Sequence, residues 1–208
     1  VIISGLKLLK GKSNTAVSNL SIIKAISVKE NADEHILTML QEPASMEKGF
    51  RLLMHTYQEQ VYWHIRRLVT DHDDANDIVQ NVFIKVYRSI DRFEGKSKLF
   101  TWLYRIATNE ALTFLEQRKR KQTEDIDAPS TAGLTHLQAD HFFDGDELQA
   151  RLYQATNLLP DKQKVVFNMR YYEEMSYDEM SEVLQTSVGA LKASFHHAVK
   201  KIEGYFKS

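Results

Sequence analysis

The chain has 208 residues, 43% of them apolar, and a formal net charge of −1. That length holds one ordinary domain or two small ones. Near-neutrality excludes binding to nucleic acid through overall charge, so any such footprint is local. Cysteine is absent, which removes disulfides, thiolate metal sites and a cysteine nucleophile, and fits a reducing cytosol.

No apolar run reaches the roughly 18 residues of a membrane span, so no stable membrane insertion is expected. The opening "VIISGLKLLKGKSN" has a faint signal-peptide character. Gly5 and Lys7 interrupt its apolar run, and no small-residue cleavage site follows. Only three prolines occur, at Pro43, Pro129 and Pro160, and glycine is sparse. Long helices are therefore permitted over most of the chain, strand-like alternation is weak, and the fold class is all-α.

Residues 1–45 read as a basic arm carrying Lys7, Lys10, Lys12, Lys24 and Lys29, with a short helix around Glu34 to Leu40 that Pro43 ends. The first compact unit spans residues 46–121. In it Phe50, Leu53, Met54, Tyr57, Val61, Ile65 and Leu68 recur at helical steps. "DHDD" then breaks the pattern, and Asp73 or Asp74 is placed to cap a second helix whose stripe is Ile78, Val79, Val82, Phe83, Val86, Tyr87 and Ile90. Gly95 marks a loop. Thr101 opens a third helix, with Leu103, Ile106, Ala107, Leu112 and Leu115 facing inward.

From residue 122 to 147 the chain carries seven carboxylates, among them Glu124, Asp125 and Asp127, and no lysine or arginine. Pro129, Gly133 and Gly145 fall in the same span, which reads as an acidic flexible linker. The second unit, residues 148–208, reads as four helices with breaks at Asn157 to Asp161, Glu173 to Ser176 and Gln185 to Ser187.

Within that unit, "SYDEMSEVLQTSVGALKASFHHAVKKI" has the pattern of a helix-turn-helix. Ser176 and Glu179 form a capping box, Gln185 and Thr186 make the turn, and Ser187 caps the longer helix. The outer face of that helix carries Lys192, Ser194, His196, His197, Lys200 and Lys201, and its N-terminal end is the part suited to a major groove. The shorter helix carries Asp178, Glu179 and Glu182, which repel DNA and suit a protein neighbour instead. Two helices and a turn also occur in plain bundles, so this pattern alone leaves DNA binding and a solvated lysine face both open.

The first unit is locally basic. Lys85, Arg88, Arg92, Lys96, Lys98 and Arg105 lead to "RKRK" at Arg118 to Lys121, and Phe93, Phe100, Trp102 and Tyr104 lie among them. Aromatic rings stack on unpaired bases while neighbouring cations follow the strand, so this part suits melted or single-stranded DNA. Phe83, Tyr87, Phe100 and Trp102 are also natural core residues, which leaves the loop around Gly95 as the better place for a base contact.

At this point a resemblance becomes specific. "DHDDANDIVQNVFIKVYRSIDRFEGKSKLFTWLYRIATNEAL" resembles region 2 of the extracytoplasmic-function (group 4) sigma factors of the sigma-70 family. "LLPDKQKVVFNMRYYEEMSYDEMSEVLQTSVGALKASFHHAVKKI" resembles their region 4. The resemblance implies a factor that binds core RNA polymerase and directs it to promoters. It places polymerase contacts on the segment from Asp77 to Tyr87, with Gln80, Asn81 and Lys85 as candidates. It places a flipped −10 base in the loop of Phe93, Glu94, Lys96, Ser97 and Lys98, followed by a DNA-facing helix with Trp102, Arg105 and Asn109. It assigns the −35 element to the helix from Ser187, through Val188, Ala190, Lys192, His196 and Lys200. An anti-sigma factor is a further implied partner, and the cytoplasm, with the nucleoid when bound to polymerase, the implied location.

Many members of that family carry threonine and arginine on the recognition helix where this chain has Ala190, Ser194 and His197. Lysine and phosphate contacts should then carry more of the −35 recognition. No phosphate-binding glycine loop, H-E-x-x-H or G-x-S-x-G motif occurs, and no catalytic residue, metal or cofactor is expected. A protein-binding adaptor and a repressor using only the helix-turn-helix are the competing classes. The second leaves the basic aromatic segment unexplained.

Overall fold

The computed structural model describes residues 32–124 and 147–207. The expected basic arm up to residue 31 and the linker over 125–146 lie outside the described residues. All regular elements among those described are helical: α1 (residues 32–41), α2 (Met46–Val69), α3 (His72–Ser89), α4 (Leu99–Glu124), α5 (Glu147–Asn157), α6 (Asp161–Tyr171), α7 (Tyr177–Leu184) and α8 (Val188–Lys207). A single 3-10 turn, Ile90–Arg92, follows α3. None of these helices is long and apolar enough to cross a membrane.

The chain divides into two units between His55 and Thr56, inside α2. In the first, Ile36, Leu40 and Leu53 are buried. Gly49 lets the two helices approach closely, because a Cβ there would come within 2.8 Å of the Met39 Cβ.

The second unit holds everything from Thr56 onward. Its α2 portion buries Tyr57, Val61, Ile65 and Leu68, as the spacing predicts. The cap of α3 is Asp71 rather than Asp73 or Asp74. Its carboxylate accepts from the amides of both at 2.9 Å, and those residues form the first turn. One carboxylate at the cap can satisfy two orphan donors at once, which the later positions cannot. The inner face of α3 is Ala75, Ile78, Val82, Phe83 and Val86. Tyr87, expected in that core, is instead 49% exposed, and Ile84 beside it is 47% exposed. The helix thus has an apolar patch turned outward.

Helix α4 starts at Leu99, two residues earlier than expected. Thr101 does not open it but lies buried in its first turn. Leu99, Leu103, Tyr104, Ala107 and Ala111 form its inward face, each large side chain contributing about 1.5–3 kcal/mol on burial. Ile106, Leu112 and Leu115 are only half-buried.

Beyond residue 147 the helix breaks fall where the sequence places them. Pro160 precedes α6 with its ring at the helix entry, where a missing N–H is no loss. The Ser176–Glu179 capping box is complete. Gln185 ends α7 in the left-handed region, at φ 51°, and the Ser187 hydroxyl accepts from the Ala190 amide at 3.3 Å. Helix α8 packs on α5, α6 and α7 through Leu191, Ala198, Val199 and Ile202. Within the second unit α4 lies against α3 on one side and α7 on another.

Candidate nucleic-acid and polymerase interfaces

Three exposed surfaces gather the residues singled out in the sequence. The first is the loop between the 3-10 turn and α4. Gly95 has φ 68°, a left-handed conformation that side chains resist, and it turns the loop outward. Glu94, Lys96 and Lys98 are exposed, and Phe93 and Ser97 half-buried. Lys96 pairs with Glu94 within the loop. The Phe93 ring packs at 5.3 Å from that of Trp102, so loop and helix share one aromatic corner. Phe100 and Tyr104 instead turn inward, their rings 4.2 Å apart, and Tyr104 is buried. Burial first, and the Glu173 carboxylate second, push the Tyr104 phenol well above its usual range.

Lys98, Trp102, Arg105 and Asn109 lie at steps of four, three and four residues and so share one face of α4. Lys98 and Asn109 are exposed at its two ends. Arg105 in the middle is half-buried, and its guanidinium is held by another part of the chain. Nε and Nη2 donate to the Glu182 carbonyl of α7 at 3.1 and 2.8 Å.

The second surface is the outer face of α3. Asp77, Gln80, Asn81 and Lys85 are all exposed there. Lys85 is ion-paired with Glu110 of α4. Ile84 and Tyr87 complete this face; both fall inside the segment from Asp77 to Tyr87, but the sequence reading singled out neither as a contact and put Tyr87 in the core stripe. Ile84 falls off the inward stripe, which is the signal that could have found it. Tyr87 falls on the stripe's edge, where the period alone cannot tell inside from outside.

The third surface is the outer face of α8. Ser187, Ala190, Lys192, His196 and Lys200 are exposed, and Val188 is half-buried. His196 and His197 are both exposed with ring centroids 6.0 Å apart. The Lys192 ammonium lies 5.7 Å from the centre of the Tyr177 ring, which also receives the Arg170 guanidinium at 5.2 Å. That ring draws the two cations toward the start of α7.

A fourth feature was invisible in the sequence: a polar seam across the second unit. His64 of α2 is fully buried. Its Nδ1 lies 2.8 Å from Glu173 Oε1, in the loop before α7, and its Nε2 2.9 Å from Thr108 Oγ1. Thr108 gives its hydroxyl proton to the Tyr104 carbonyl at 2.7 Å, so it receives from His64. Lys164 of α6 is 6% exposed and donates to the Leu68 carbonyl at 3.4 Å and to Asn157 Oδ1 at 3.2 Å. Burial lowers its ammonium to about 8. The Asn168 amide donates to the Arg67 carbonyl, and the Arg67 guanidinium stacks at 4.7 Å on Tyr172. Lys119 of α4 reaches Asp161 at the start of α6 at 2.5 Å.

Comparison with known proteins matches residues 53–121 to the family model for sigma-70 region 2 and residues 149–202 to that for sigma-70 region 4. The chain is 35% identical over 165 residues to the ECF RNA polymerase sigma-E factor of Haemophilus influenzae, covering 76% of this chain and 87% of that protein. It is 31% identical over 173 residues to the RNA polymerase sigma-H factor of Pseudomonas aeruginosa, covering 76% and 86%. Among solved structures it is similar to the sigma factor RpoE of Bartonella quintana, determined in complex with the anti-sigma factor NepR. The TM-score is 0.60 at 21% identity, covering 77% of this chain and 98% of that one. It is also similar to CnrH in complex with the cytosolic domain of CnrY, with a TM-score of 0.62 at 18% identity, covering 85% and 97%.

Proposed function

We infer residue roles from one premise: this chain belongs to the extracytoplasmic-function sigma factors of the sigma-70 family. It is a non-catalytic initiation factor that recruits core RNA polymerase and recognises promoter elements. The finer assignment is ours. The α7–turn–α8 pair is a helix-turn-helix whose second helix reads the −35 element. Ser187 and Val188 stand at its entry, Ala190 presents a small side chain to the groove, and Lys192, His196 and Lys200 reach phosphates or base edges.

Phe93, Glu94, Lys96, Ser97 and Lys98 form a loop that receives a flipped base of the −10 element. Trp102, Arg105 and Asn109 carry the strand along α4. The open Gly95 turn beside the Phe93–Trp102 corner supports this, because an unpaired base needs both an aromatic surface and room to enter. Asp77, Gln80, Asn81 and Lys85, with Ile84 and Tyr87, form the polymerase-facing side of α3. An exposed apolar pair ringed by polar residues is the surface a protein partner covers. An anti-sigma factor is a further proposed partner, and the cytoplasm the proposed location.

The observation that carries the reading is a run of similarity spanning both regions in order, at 35% identity to one relative. A run-off transcription assay with core polymerase, with and without the chain, tests it. Transcript from a cognate promoter should appear only when the chain is added. Equal transcript in both reactions would overturn the assignment.

A further inference from the structure

Two adjacent histidines, His196 and His197, stand exposed on the outer face of α8. Ala193 precedes them by three and four residues, and Lys200 follows them by four and three. Ala193 and Lys200 therefore mark the centre of that face, and the two imidazoles flank it. The ring centroids are 6.0 Å apart, and among the described residues neither ring has a hydrogen bond or an ion pair. Nor do they join a cluster of three metal-ligating side chains there.

The charges one helical turn away are Lys192, Lys200 and Lys201, with no carboxylate among them. Helix α8 meets α5, α6 and α7 through its opposite face. The charged groups of those helices are engaged elsewhere: Arg151 on the Phe206 ring, Arg170 on the Tyr177 ring, Asp161 with Lys119, and Glu179 in the capping box. Glu147, Lys162, Asp178 and Glu182 are exposed and bond to neither histidine. A counter-charge for an imidazolium on this face must then come from outside the chain.

Duplex DNA supplies it. With Val188 at the groove entry, the two histidines follow about 12–14 Å along the axis, at about 1.5 Å per residue. A major groove is about 12 Å wide, so side chains at that distance, to either side of the helix, meet its phosphate walls. A neutral imidazole offers one donor and one acceptor, whereas an imidazolium offers two donors and a charge. Phosphate oxygens only accept, as do N7 and O6 of guanine. The contact selects the protonated ring, and the phosphate charge favours it further. We propose that His197 contacts DNA together with His196, and that both rings take up a proton when α8 binds duplex, so that affinity for the −35 element falls as pH rises through neutrality. The proposal rests on the −35 reading above. Proton and DNA are then linked ligands, each tightening the other's binding by the same factor. Lysine and phosphodiester groups ordinarily keep their charge across this range, which leaves histidine as the group that makes such a face pH-sensitive.

The test uses the full chain and a fluorescein-labelled duplex of mixed sequence, about 20 base pairs long, because phosphate contacts do not depend on sequence. Anisotropy titrations are run from about pH 8 to about pH 6, each at several salt concentrations. An imidazole that charges on contact should tighten binding by up to about tenfold over that step, and the two together by up to about a hundredfold. Each also adds a phosphate contact, so the salt slope should steepen by about 0.9 per ring on acidification. In the double variant His196→Gln/His197→Gln both responses should vanish, since glutamine keeps a donor without a charge. The other histidines are common to both chains, and substitution at two exposed positions should leave the urea midpoint unchanged.

Equal pH dependence in the wild type and the double variant would overturn proton uptake, while the −35 reading would stand if Lys192→Ala weakens binding in the same assay. Loss of the whole pH response in His196→Gln alone would overturn the assignment of His197. A pH response without a steeper salt slope at the lower pH would overturn the phosphate contact. If neither Lys192→Ala nor the double variant alters binding at any pH, α8 is not a DNA face, and the −35 reading itself fails.

Discussion

Lys164 offers the sharpest quantitative check on the seam. Its side chain is buried, and among the described residues its acceptors are the Leu68 carbonyl and Asn157 Oδ1. Loss of water lowers the ammonium from 10.5 to about 8, Asp161 partly opposes this, and Lys119 adds to it. A lysine lowered in the folded state binds fewer protons there than in the unfolded chain. Between about 8 and 10.5 the unfolded state therefore holds the extra proton, and stability rises with pH across that window. Below it the burial penalty is present in full, at roughly 3 kcal/mol from a conversion of about 1.4 kcal/mol per pKa unit. From about pH 7 to about pH 9.5 the linkage relation returns ~2 kcal/mol of that.

Urea unfolding of the wild type and of Lys164→Met at both pH values isolates this contribution, since other titrating groups are common to the two. The wild type should gain ~2 kcal/mol on the variant over the pH step, through a shift in midpoint at constant slope. At about pH 7 the methionine variant should be the more stable, by ~1–2 kcal/mol once the lost hydrogen bonds are subtracted from the relieved burial. Parallel pH profiles for the two chains would refute the buried-ammonium account of Lys164.

Asp71→Ala removes both cap bonds at the start of α3 and should cost about 1 kcal/mol in urea unfolding. The amide of Asp74, with that of Asp73, holds the Asp71 carboxyl below its usual range against a smaller opposing effect of burial. The stabilisation it gives is thus present above the unfolded value and lost as pH falls through the lowered one, so acid should erase the difference between wild type and Asp71→Ala. Ile84→Ser and Tyr87→Ser should reduce recovery of core polymerase in pull-down while leaving unfolding midpoints nearly unchanged, because both side chains are half-exposed already. Lys85→Glu should reduce recovery as well, but it also sets two carboxylates against each other at Glu110, so Lys85→Ala is its necessary companion. Lys192→Ala should weaken −35 duplex binding alike across sequences and lower the salt slope by about 1.

What could be read in advance follows from how local the physics is. The all-α class, the capping box at Ser176 and Glu179, the break at Pro160 and the turn at Gln185 depend on residues within four positions of one another. Periodicity and cap chemistry report those directly. Asp71 was displaced from the expected cap by two to three positions because three aspartates in a short run all have the right chemistry. Only the backbone decides which faces the free amides. Tyr87 failed for a related reason: an amphipathic ring at a stripe edge satisfies the helical period whether it points in or out.

The seam lay beyond any such reading. His64 and Glu173 are 109 positions apart, and Arg105 and Glu182 are 77 apart. No pattern in either neighbourhood names the other. Yet the sequence did pose the problem that the seam answers. Charges on Asp178, Glu179 and Glu182 make α7 a poor companion for DNA, so a helix adjoining the proposed reading helix had to face something else. In the structure α7 packs on α4 with Asp178 and Glu182 left exposed, and only its main chain is bonded to Arg105, through the Glu182 carbonyl.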